Sequence, residues 1–191
     1  MAEESATEWF GSEPSPMRQW FLQAVRDRTQ HQDIGKVLAP GAEVYINAWL
    51  EQKTGRPIRH VTKTSYDGVT ADDYVPQVRH QTKFRMSDWH LETTRRHTGT
   101  GRINYSRSEF DVLIIFVPGP FFSLSKARIR CIPVNELIDP KKPTHLRTSV
   151  PKRLRDVYDT DEKTDEVLQK VYHPTVDDTI DQVVEQFFLE V

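Results

Sequence analysis

The chain has a single cysteine, Cys131, among 191 residues. That scarcity excludes an intrachain disulfide and a cysteine-built zinc site. The setting of Cys131 in the apolar stretch "ARIRCIPV" reads as a buried, inert thiol. No apolar run approaches the roughly 18 residues of a membrane-spanning helix, so no membrane partner is expected. The opening "MAEESATEWFGSEPSP" lacks a basic segment followed by an apolar one; the expectation is a soluble intracellular protein, cytoplasmic or nuclear and not secreted. Familiar motifs are missing as well. "TGTGR" does not have the spacing of a phosphate loop or a dinucleotide fingerprint and reads as a hairpin loop. No Gly-x-Ser-x-Gly elbow occurs. The seven histidines include no pair at a metal-binding helical spacing, and His80 and His90 read as sheet-face residues.

What is present is a polar chain with enough aromatic residues for one core: 4 Trp, 9 Phe and 6 Tyr in a length suited to a single domain with appended arms. The net charge of −2 conceals an asymmetry. Residues 79–107 carry Arg79, Lys83, Arg85, Arg95, Arg96, Arg102 and Arg107 against Asp88 and Glu92, whereas from Asp156 onward only Lys163 and Lys170 oppose a long run of carboxylates. A basic middle in a near-neutral protein indicates either a local anionic partner or a solvated sheet face.

The periodicity divides the chain into three parts. Residues 1–16 read as a flexible N-terminal arm, residues 17–150 as a mixed α/β domain, and residues 151–191 as an acidic helical C-terminal extension. "PMRQWFLQAVRDRTQ" predicts a short amphipathic helix, and "APGAEVYINAWLEQKTG" a stronger one with Pro40 near its start and Gly55 as its stop. Strands are predicted at "RPIRHVTKT" and "DYVPQVRHQTKF", separated by "SYDGVTAD" with its Asp67-Gly68 turn signal. Further strands are expected at "DWHLETTRR", at "ARIRCIPV" and at "DVLIIFV", whose continuous apolar run suits a central strand buried on both faces. "RLRDVYDTDEKTDEVLQKVY" and "TVDDTIDQVVEQFFLEV" predict two terminal helices broken at Pro174. Helices and strands in this order argue for an α/β fold with a mixed central β-sheet flanked by helices.

Along this order stand Glu43 in a helix, Asp67 at the start of a short strand, "QVR" at 77–79, then "YSRSEFDVLIIFVP" and "IRCIPVNEL". The succession resembles the PD-(D/E)XK, or restriction-endonuclease-like, nuclease superfamily, and in particular its small endonuclease-like members, over residues 36–148. The resemblance implies a restriction-endonuclease-like sheet and Mg²⁺- or Mn²⁺-dependent cleavage of phosphodiester bonds, with Asp67, Gln77 and Glu43 holding the metal and Arg79 standing at the lysine position. It also implies that the site is either active or degenerate, since Gln77 offers only a neutral carbonyl oxygen and the guanidinium of Arg79 stays protonated. A second register takes Asp72 or Asp73 followed by Gln81-Thr82-Lys83 and restores the lysine. The distance to "YSRSEFDVL" favours Gln77 and Arg79, with Lys83 in reserve.

Two further readings need no catalysis. Arg85, Arg95, Arg96 and Arg102, with Trp89 among them, suit phosphate contacts and base stacking on a nucleic acid, DNA ahead of RNA. Alternatively the fold serves as an inactive assembly subunit, binding a protein partner or a second copy through its C-terminal helices.

Overall fold

A computed structural model describes residues 31–61, 66–73, 76–84, 94–97, 101–117 and 127–174, together with Gln19. The predicted arm at 1–16 and the final predicted helix lie outside the described residues, as do Arg85 and Trp89. None of the described helices is long and apolar enough to cross a membrane.

Helix α1 runs His31–Thr54, so it begins well before Pro40 and carries that proline in its interior, where one backbone donor is missing. The helix ends where the sequence indicates. Gly55 adopts φ 67° and its N–H donates to the Glu51 carbonyl at 2.9 Å, a left-handed cap that glycine occupies without steric cost. Strands β1 (Ile58–His60), β2 (Gly68–Thr70) and β3 (Arg79–Phe84) form an antiparallel meander. Asp67-Gly68 therefore leads into a strand rather than marking a turn between two strands. The hairpin β4 (Thr94–His97) and β5 (Gly101–Asn104) follows, with Arg96 opposite Arg102. Strand β6 (Val112–Val117) then lies parallel to β3, and β7 (Arg128–Pro133) antiparallel to β6. The result is a mixed five-stranded sheet of order β1-β2-β3-β6-β7, with every residue of β6 buried.

A short 3₁₀ turn at Val134–Leu137 precedes a second hairpin, β8 (Ile138–Asp139) and β9 (Lys142–Leu146), which the sequence did not announce. Its end seats Leu146 fully in the core, with the Leu146 N–H donating to the Tyr105 carbonyl at 2.9 Å.

The segment expected as one helix to Pro174 is two, α2 (Lys152–Tyr158) and α3 (Asp161–Tyr172). Thr160 makes the break, because its side chain accepts from the Lys163 N–H at 3.1 Å and caps a new helix. Both helices pack inward: Leu154, Tyr158, Val167, Leu168 and Tyr172 belong to the same apolar cluster as α1 and the sheet. Two buried arginines secure them. Arg130 donates to Asp159 at 3.0 Å and Asp161 at 2.6 Å. Arg56 forks onto Asp72 at 2.8 and 2.7 Å and donates to the Tyr172 carbonyl at 2.8 Å. Helix α1 meets α3 through the Lys53–Asp165 ion pair at 3.0 Å and lies over β3 and β6, where Tyr45 and Phe84 stack on Phe116 at 5.5 and 5.8 Å.

Candidate functional site

The sheet register decides which polar residues meet. Gly68 pairs with His80, so Asp67, one residue before β2, comes level with Gln81 on β3. There the two strands part, and the Asp67 carboxylate takes the place of a ladder partner. Its Oδ2 accepts from the Thr82 N–H at 2.6 Å and from Gln81 Nε2 at 2.5 Å. Lys83 follows two positions on, on the same face as Gln81. Its ammonium donates to Tyr105 Oη at 2.9 Å and stands 4.9 Å from the centre of that ring. From α1, Glu43 reaches the same neighbourhood. Burial, and then the charge of Asp67, push its carboxyl up to about 7, while Lys83 pulls it back. Asp67 is also raised by burial, against the opposing pull of the Thr82 N–H, Lys83, His60 and Gln81. Two half-buried carboxylates competing for one cation is the electrostatic signature of a site prepared for positive charge.

The expected residues divide accordingly. Glu43, Asp67 and Lys83 come together. Gln77 does not join them: it is exposed and precedes β3, which starts only at Arg79. Arg79 lies on the Gln81 and Lys83 face, but its guanidinium is engaged elsewhere. It donates to Asp111 at 3.3 Å through Nε and Nη2 and to the Ser108 carbonyl at 2.7 Å, and rests 5.9 Å from the Tyr66 ring. These contacts tie β3 to the loop before β6. In the second register, Gln81 and Lys83 are placed together while Asp72 is held by Arg56 and Asp73 is exposed. The arrangement is therefore a hybrid: the aspartate of one register with the glutamine and lysine of the other. Arg95, Arg96 and Arg102 fall on the β4–β5 hairpin.

Three neighbours were not singled out from the sequence. Tyr105, at the exit of β5, buttresses Lys83. His60 is close enough to Asp67 to act on its carboxyl, and Asn47 links His60 to His80: Asn47 Oδ1 is 2.8 Å from His80 Nε2, and Asn47 Nδ2 is 3.2 Å from His60 Nδ1. Only Asn47, one helical turn after Glu43, gave a usable signal, as a polar residue at i+4 on the face that meets the sheet.

Among the described residues no three of His, Cys, Asp and Glu converge as a metal-ligand set. The groups in this neighbourhood are two carboxylates and an amide, all able to offer hard oxygen ligands. They suit Mg²⁺ or Mn²⁺, ions commonly held by one or two carboxylates with water and substrate phosphate completing the shell. Cys131, by contrast, is fully buried, and burial pushes its thiol far above the range of a nucleophile. No family model matches the chain, and no curated protein or solved structure matches it.

Proposed function

We propose that Glu43, Asp67, Gln81 and Lys83 form the site of a metal-dependent phosphodiester hydrolase acting on nucleic acid, in the manner of the PD-(D/E)XK nucleases that the chain resembles. The observation that carries this reading is the meeting of Asp67, Gln81 and Lys83 where β2 and β3 part, with Glu43 facing them from α1. The element order is consistent with it: a helix, a three-stranded meander, and a fourth strand parallel to the third.

A bound Mg²⁺ or Mn²⁺ would polarise the phosphate and lower the pKa of the attacking water. The chain's own groups do the rest. Thr82 N–H and Gln81 Nε2 fix one oxygen of Asp67, which orients the other. Glu43 supplies the second carboxylate; burial and the Asp67 charge make it hold its proton more tightly than a free glutamate, and a bound cation would favour its ionised form. Gln81 contributes a neutral oxygen, keeping the anionic charge of the site low enough to admit a phosphate. Lys83, steadied by Tyr105, offsets the phosphate charge and holds the water.

The second reading is a nuclease-like subunit that binds nucleic acid without cutting it. The presence of only two carboxylates in this neighbourhood among the described residues favours it. One experiment separates the two: plasmid and single-stranded DNA are incubated with Mn²⁺, alongside a gel shift in EDTA. The hydrolase reading expects nicking that falls by about a hundredfold or more in Asp67→Asn and Lys83→Met while the EDTA gel shift persists. It also expects Gln81→Ala to be impaired and Gln77→Ala to cut like the wild type. Gel shift without nicking leaves the binding reading; nicking that survives Asp67→Asn removes this site from consideration.

A further inference from the structure

His60, Gly68 and His80 stand in register across β1, β2 and β3, forming one row on the face covered by α1. Gly68, in the middle, has no side chain, and Asn47 descends from α1 into the gap. A Cβ at position 68 would press on the His80 ring and lie 2.8 Å from Asn47 Oδ1. Asn47 accepts from His80 Nε2 on one side and donates to His60 Nδ1 on the other. The bond to His60 makes Nδ1 an acceptor and puts the proton of the neutral ring on Nε2, the nitrogen away from Asn47. Asn47 and His80 are buried, whereas His60 is exposed.

A bridge that served only to pin α1 to the sheet would need Asn47 and His80 and nothing beyond them. It would also be an expensive pin. His80 Nδ1 is buried with no partner among the described residues, a penalty that an apolar pair would avoid. What the row adds is a fixed orientation for one exposed imidazole. That imidazole lies beside the candidate site: His60 pairs with the residue after Asp67, Val61 N–H donates to the Asp67 carbonyl at 2.9 Å, and Glu43 precedes Asn47 by one turn on α1.

We infer that His60 is a further substrate-contacting residue, donating through Nε2–H to a non-bridging oxygen of the nucleic-acid phosphodiester, and that Asn47 is its positioning residue. The inference rests on the site reading above. With Lys83 and His60 both close enough to Asp67 to act on its carboxyl, phosphate binding does not depend on the metal alone.

The test uses the full chain, a fluorescein-labelled phosphorothioate oligothymidylate that resists hydrolysis, and Mn²⁺. His60→Ala is expected to weaken binding by about tenfold, the usual consequence of losing a hydrogen bond to a charged group. His60→Gln, which keeps a donor, should stay within about threefold of the wild type, and both variants should melt within about 2 °C of it because the residue is exposed. Long-range ¹H–¹⁵N spectra of the wild type should show His60 protonated on Nε2, with that nitrogen shifting when the oligonucleotide is added. In Asn47→Asp the proton should move to Nδ1. Unchanged affinity in His60→Ala, or a His60 resonance indifferent to the oligonucleotide, overturns the inference. Loss of affinity in His60→Ala together with cleavage that survives Asp67→Asn overturns the hydrolytic assignment alone, and an absence of oligonucleotide binding overturns both.

Discussion

A methyl group at position 68 has nowhere to go, since the His80 ring and the Asn47 amide already fill that space. Both are buried on packed elements and cannot swing aside as a flexible side chain would. Gly68→Ala should therefore cost about 1–3 kcal/mol, the usual range for overpacking a core, measured as a lowered urea midpoint with an unchanged m-value. The same residue shows where sequence reading stops. Asp-Gly is a strong turn signal, and nothing in the string reveals that the glycine is there to admit a neighbour's ring. Gln77 and Gln81 pose a similar problem. They are identical in chemistry and share a period-2 phase, and only the pairing of Gly68 with His80 brings the second, not the first, level with Asp67.

Elements were more legible than their partnerships. The apolar run of β6, the strand β7 and the glycine that ends α1 follow from residue periodicity and backbone preference. The start of α1 did not, because Pro40 looks like a first-turn residue and in fact sits inside a longer helix. The hairpin β8–β9 was missed because its strands are short and mostly exposed, so burial leaves no alternation to read. Residues expected to form an appended extension instead deliver Tyr172, which is fully buried, into the core. Arg56 is the residue that makes this attachment specific, joining Asp72, Thr70 and the Tyr172 carbonyl. Arg56→Met should leave those groups without their partner and cost about 3–5 kcal/mol, read by urea unfolding and accompanied by faster hydrogen exchange in α3 before global unfolding.

At the scale of the whole molecule, the paired carboxylates set the response to pH. Glu43 titrates at about 7 in the fold, against an ordinary value of 4.5. Between these values the folded chain holds a proton that the unfolded chain has lost. Its contribution is therefore fully present below about pH 4.5 and is lost as pH rises through about 7. The upper bound is about 3 kcal/mol, and solvent screening of this half-buried side chain brings it nearer to 1. Glu43→Gln should remove that part of the pH dependence and be the more stable protein at pH 8. Mn²⁺, which demands the deprotonated carboxylates, should raise the melting temperature of the wild type at pH 8 and much less at pH 5.5. The rise should vanish in Asp67→Asn, and calorimetry at the two pH values checks both statements.

The long reach of Arg56 also imposes an order of events during synthesis. Its acceptor on Tyr172 lies 116 residues further along the chain, and the His173 ring returns to the Thr54 carbonyl at 2.8 Å across an interval of 119. While the chain is still being translated, the guanidinium can meet Asp72 early, but it and the end of α1 lack the cover of Tyr172 and His173 even after all five strands of the sheet have left the ribosome. The Arg56–Asp72 pair therefore stands at an edge of the future core that is completed only when α3 emerges, so closure of the domain is among the last steps of its biogenesis, and shielding that edge in the interval falls to solvent or to a chaperone.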